Sequence, residues 1–269
     1  MRSLHSRTPG LLALLCVCLW TVNPAAQAIA ADDSSAAARQ ISGKWGAAVV
    51  AVRIVSKTRV VVEGRQMDES ERVEQIRATV IDPSGLAVCS LSEIDPSRAM
   101  DLAMAAEPEY KFEAEVTDVK ILQAEGKEIP AKVVLRDTDL DLAFIRPTEP
   151  PAQPVPYVDL GQAAKPEVLD EVVVLGRLGE VGNRAPSVTL DRVQAIVTKP
   201  RTFYITGLYS WMAGLGCPVF SLDSKPVGVL VVRSIPAVSS DAGGPYGDSM
   251  PIVLPAEDIL EVAQQVPAE

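Results

Sequence analysis

The chain is a succession of short β-branched and alternating runs separated by turn-forming residues, and this rhythm limits its fold more than any other feature. Ala47 to Val55 is β-branched, Thr58 to Glu63 alternates, and Val73 to Ile81 ends at Asp82-Pro83-Ser84-Gly85. Side chains branched at Cβ suit a pleated surface, while Asp, Pro, Ser and Gly each favour turns for their own steric or hydrogen-bonding reason. Further runs follow at Phe112 to Ile121, Ile129 to Leu135, Glu171 to Leu175, Ser187 to Val197, Val227 to Val232 and Met250 to Leu254. The pattern predicts strands almost throughout. Only the end differs: Pro255, then Ile259, Leu260, Ala263 and Val266 at helical spacing, predicts a C-terminal helix.

The N-terminus reads as an address. Arg2 and Arg7 precede an apolar run from Leu11 to Val22 and a small-residue stretch ending Ala26-Gln27-Ala28-Ile29-Ala30-Ala31, the layout of a secretory leader cut after Ala28 or Ala30. The apolar run falls short of the roughly twenty residues that span a bilayer. Cys16 and Cys18 follow Leu15 and Val17, not the small residue that a lipoprotein signal needs. Residues 1–30 are therefore expected to be removed, leaving an extracytoplasmic protein, periplasmic or secreted, with no membrane insertion. Residues 31–44 form a polar lead-in, partly helical through Ala36 to Ile41, and the domain is expected from Trp45 to the end.

Charge and histidine count exclude whole classes of function. The 269 residues, 48% hydrophobic, supply ample core, and 25 basic against 35 acidic residues give a net charge of −10. Loss of Arg2 and Arg7 with the leader takes this to −12, which argues against nucleic acid or anionic membrane as partner and fits a solvated acidic surface. The single histidine, His5, lies in the leader, so the mature chain has no imidazole for general base catalysis or zinc ligation. Two cysteines remain, Cys89 and Cys217, without a C-x-x-C pair to suggest redox catalysis. No metal or cofactor is expected.

Three windows then carry a resemblance. Trp211-Met212-Ala213-Gly214-Leu215-Gly216-Cys217-Pro218-Val219-Phe220, followed by Val227 to Val232, resembles the nucleophile motif G-N-S-G-G-P-L and the strand after it in trypsin-like serine proteases of the HtrA/Deg branch. Anchored on Pro218, the serine position falls on Leu215; Gly216 is kept, and Ala213 stands for the first glycine. Ile81-Asp82-Pro83-Ser84-Gly85 matches the opening of the family's histidine segment and Asp95 its close, which puts the histidine position at Ser92. Val133 to Arg146 resembles V-V-x-x-D-x-x-T-D-L-A-L-L-K, with the triad aspartate at Asp141. Val158 to Gly161, Glu171 to Leu175 and Ser187 to Val197 continue in the family's order, so the resemblance spans Trp45 to Val266.

The resemblance implies two six-stranded antiparallel β-barrels: the first over about 45–146, a proline-rich connector over 147–156, and the second with the C-terminal helix over 157–269. A PDZ domain, usual in HtrA proteins, is not expected. The family's oxyanion amides would map to Ala213 and Leu215, yet Leu215 has no hydroxyl to attack with and Ser92 cannot act as a base near neutral pH. Asp141 then reads as an acceptor for buried amides, not a catalytic residue. The implied protein is a pseudoprotease that binds a polypeptide through the old cleft, alone or in an oligomer. Its competitors are a hydrolase with a Ser-Lys site and a structural envelope subunit. The resemblance also brings Cys89 and Cys217 into one neighbourhood of an oxidising compartment. A disulfide across the site is expected, two buried free thiols being the alternative.

Three other motifs fail on spacing. Asp137, Asp139 and Asp141 have calcium-loop intervals, but Leu142 and Thr148 stand where glycine and a carboxylate are needed. Gly176 to Gly182 lacks the G-x-G start and following helix of a phosphate cradle, and Glu180 would repel phosphate. In Gly247-Asp248-Ser249-Met250-Pro251 one residue, not two, separates serine from proline.

Overall fold

A computed structural model describes residues 24–63, 65–97, 110–123, 126–234 and 249–267. Helix α1 (Pro24–Trp45) leads into β1 (Val49–Val62), β2 (Arg65–Val80), β3 (Ala87–Ser90), a single turn α2 (Leu91–Ile94), β4 (Tyr110–Leu122), β5 (Glu128–Asp137) and β6 (Leu142–Pro147). The second half holds β7 (Glu171–Arg177), β8 (Pro186–Val197), β9 (Phe203–Thr206), a short helix α3 (Leu208–Ala213), β10 (Pro218–Ser221), β11 (Pro226–Ser234), β12 (Ser249–Pro255) and α4 (Ala256–Ala263). Each half closes on itself, in the orders β1-β2-β3-β6-β5-β4 and β10-β11-β12-β9-β8-β7, with antiparallel pairing throughout. Two six-stranded barrels and a C-terminal helix are thus the architecture that the sequence implied.

The unbroken apolar runs of the second barrel follow from burial on both faces. Along β7, Val172 and Val174 point into the barrel with Val219, Leu230 and Val253, while Val173 and Leu175 join the larger core outside it. Successive strand residues alternate sides, so a strand covered on both faces must be apolar at every position. The outer cover is partly α1, which packs on β7 and β8 through buried Ala38 and Ile41. Ser34 donates to Glu171 at 2.7 Å, and at the far end of α1 the Trp45 ring stacks on Phe220 at 6.1 Å and donates to Ser224. Residues 31–44, read from sequence as a polar lead-in, therefore lie in a helix docked on the second barrel. The leader's apolar run and His5 lie outside the described residues; the cleavage positions Ala28 and Ala30 fall within α1.

Specific polar bonds join the barrels. The Arg177 guanidinium on β7 donates to the carbonyls of Val49 and Gly46, and Arg77 on β2 donates to the Arg177 carbonyl. Thr79 Oγ1 donates to the Gly216 carbonyl at 2.7 Å, and the Val232 amide donates to Asp141 at 2.8 Å. The last two fix the seam where the sequence placed its candidate site. Among the described residues no helix is long and apolar enough to cross a membrane.

Candidate functional site

Asp141 sits in the turn entering β6 with φ +57°, a conformation uncommon for a residue other than glycine. The Asp137 carboxylate caps that turn by accepting from the amides of Asp139 and Leu140. The turn buries the Asp141 side chain, which is 8% exposed, and surrounds it with donors. Oδ1 accepts from the Ser92 amide at 2.8 Å and the Ser92 hydroxyl at 2.7 Å; Oδ2 accepts from the Ser90 hydroxyl and the Val232 amide. Burial raises the carboxyl pKa, and the bonds from Ser90, Ser92 and Val232 oppose that rise by favouring the charged form.

Ser92 is the second residue of α2, directly after β3, so strand pairing of β3 with β6 sets its distance from Asp141. Its hydroxyl donates to the carboxylate where, by the resemblance, an imidazole N–H would. An imidazole has a second nitrogen to take a proton from a nucleophile. A serine hydroxyl that donates to the carboxylate has no second nitrogen of this kind.

The second-barrel part is built differently. Ala213 ends α3, which places its amide in the helix's own hydrogen-bonding ladder. Asp191 on β8 caps the start of that helix, accepting from the Ser210 amide at 2.8 Å and its hydroxyl at 2.7 Å. Leu215 lies half-buried in the turn after α3, between Gly214 (φ +103°) and Gly216 (φ +73°), and its amide has no partner among the described residues. A Cβ on Gly216 would stand 2.2 Å from the Arg77 carbonyl oxygen, so the barrels meet here too closely for any side chain. Ser92 lines two depressions, and neither includes Ala213 or Leu215. The structure brings Ser92 and Asp141 together and leaves the nucleophile position outside their hydrogen-bonded group.

The expected disulfide is absent. Cys89 and Cys217 are both buried, free thiols. The two chain segments do approach, since a Cβ on Gly216 would lie 3.4 Å from the Cys89 Cα. The thiols, however, pack into different cores: Cys89 in the larger one against the Ala143 carbonyl, Cys217 inside the second barrel against the Ala213 carbonyl. Burial raises both pKa values, that of Cys217 to about 12, so neither carries a reactive thiolate near neutral pH.

Several site residues were not singled out from sequence. Ser90 is fully buried and donates to Asp141; the Ser90-Leu91-Ser92 spacing, alternate residues leaving a strand, was its only signal. Glu93, next to Ser92, has one carboxylate oxygen buried without a hydrogen-bond partner, and burial lifts its pKa to about 8 despite the nearby Arg77 charge. The open edge of β11 was also unread. Leu230 uses its amide and carbonyl toward Cys217 and Gly216, and by the two-residue alternation of a strand Val232 and Ser234 present theirs on the same side. The Val232 amide is taken by Asp141, leaving the Val232 carbonyl and both backbone groups of Ser234 without a partner among the described residues.

Residues 103–229 match the trypsin-like peptidase domain family, a span that contains Asp141 and Leu215 and begins after Ser92. The fold is trypsin-like. No curated protein matches the chain in sequence. In this trypsin-like fold the two barrels are bonded across their seam by Thr79 to Gly216 and by Val232 to Asp141, and Ser92 is bonded to that same Asp141.

Proposed function

We propose that this chain is an extracytoplasmic, HtrA/Deg-like pseudoprotease that holds a polypeptide segment of a partner and does not cleave it. The observation that carries this reading is the Ser92 hydroxyl bonded to Asp141 at 2.7 Å, in the place of a base, with leucine at the nucleophile position. Each such loss lowers the rate of triad enzymes by several orders of magnitude. Against the Ser-Lys alternative, Lys120, Lys165 and Lys225 each bridge a carboxylate, and Ser90 and Ser92 donate to Asp141. Binding is supported by the open edge of β11 at Val232 to Ser234, where an extended segment can add backbone hydrogen bonds. The leader-like N-terminus supports the location. Incubation of the mature protein with unfolded casein tests the first half of the proposal: casein stays intact, whereas cleavage that co-purifies with the folded chain contradicts it.

A further inference from the structure

The pocket beside Asp141 holds an arginine, Arg233, that forms no ion pair among the described residues. The pocket is small, about 40 Å³, with room for a group of about three heavy atoms. Arg233 enters it from β11 with its guanidinium carbon 5.5 Å from the centroid of the Phe203 ring. Cation–π attraction holds such a group in place and leaves N–H donors available. No carboxylate pairs with Arg233 among the described residues. Arg201, the other cation of the pocket, is already bridged to Asp258 at 3.1 Å. Of the two acids lining it, Asp141 is saturated by four hydrogen bonds, and Asp139 is exposed to solvent that screens its charge. The unmet interaction in this pocket is therefore that of the Arg233 guanidinium, and it lies directly beside the open edge of β11.

We propose that the pocket selects its polypeptide by an acidic side chain, Asp or Glu, which pairs with Arg233 while the segment's backbone runs along the Val232 to Ser234 edge. This inference rests on the groove-binding reading above. A segment paired with β11 presents alternate side chains to the same face, so one residue in two can reach the pocket. Guanidinium and carboxylate match in planar, charge-assisted geometry, which a neutral amide matches more weakly.

The test is an NMR titration of the isotope-labelled mature protein with two probe peptides, acetyl-Ala-Ala-Glu-Ala-Ala-amide and its Gln counterpart. The expected result is saturable shifts at the amides of Phe203, Arg233 and Ser234, with the Glu peptide binding about tenfold more tightly and the difference shrinking as salt is added. In Arg233→Gln, whose spectrum also reports that it is folded, the Gln peptide keeps its affinity and the preference for Glu disappears. Equal affinity of the two peptides for the unsubstituted protein overturns acid selection and leaves groove binding standing. A preference that survives Arg233→Gln overturns the assignment to Arg233. Absence of saturable shifts with either peptide at millimolar concentration overturns both the groove reading and this inference.

Discussion

The first barrel and the second contribute to the seam by opposite means. On the first-barrel side, Asp141 is fixed by side-chain chemistry: two hydroxyls and two amides converge on one carboxylate. On the second-barrel side the turn from Gly214 to Gly216 is fixed by the absence of side chains, its glycines in left-handed conformations against Arg77. In an active trypsin-like enzyme both halves serve a proton transfer. Here the polar half is satisfied by four donors, and the turn from Gly214 to Gly216 meets the first barrel through the Gly216 backbone. The joint between the barrels is thus held by one polar centre and one close backbone approach.

The contrast is most severely tested at Gly216. Gly216→Ala places a methyl group 2.2 Å from the Arg77 carbonyl oxygen and forces an unfavourable φ, so it is expected to cost at least about 4 kcal/mol in urea unfolding or to prevent folding. A loss below about 1 kcal/mol would mean that the barrels do not meet there.

Glu93 gives the next largest effect, and it depends on pH. The charged groups that face it are Arg77 and Glu74 on β2 and Asp141 before β6. Its carboxyl pKa is about 8 when folded against an ordinary 4.5, so between those values the folded chain keeps a proton that the unfolded chain has released. Unfolding is therefore favoured progressively as pH rises through that window, and no further above it. Glu93→Gln, neutral at every pH, should raise stability by roughly 4 to 5 kcal/mol at pH about 9 and by almost nothing at pH about 4. Parallel melting curves of the two proteins at all pH values would show that Glu93 is ionised in the fold and that the first-barrel half is less dry than described.

Leu215 should matter least. Half-buried, it contributes about 1 kcal/mol, roughly half the value of full burial. Leu215→Ser is expected to lower stability by that amount and to bring no hydrolysis, since Ser92 cannot serve as its base. Casein cleavage by this single variant would show that a base is present after all.

The strands were legible in the sequence because β-branched runs and turn residues act locally. The two-barrel closure came with the motif order around Asp82 to Gly85 and Asp141, which no periodicity could supply. Asp141 could be picked out by its Thr-Asp-Leu-Asp-Leu-Ala surroundings, but its donors Ser90 and Val232 are separated from it by 51 and 91 positions, and only pairing of β3 with β6 and closure of the seam bring them near. The Cys89–Cys217 bridge is not legible from the resemblance, because proximity of two segments says nothing about which core each side chain enters. The docking of α1 was hidden by its composition, alanine and serine with a single isoleucine buried on β7 and β8, which gives almost no amphipathic signal.

The central claim, that the Asp141 site can no longer activate a nucleophile, is tested most directly by treating the folded mature protein with an excess of a fluorophosphonate and weighing it intact by mass spectrometry. An unchanged mass is expected, because among the described residues Ser90 and Ser92 are paired with the buried Asp141 carboxylate, itself held by four donors, and with no imidazole or amine. Stoichiometric addition to a serine, lost on unfolding, would contradict it.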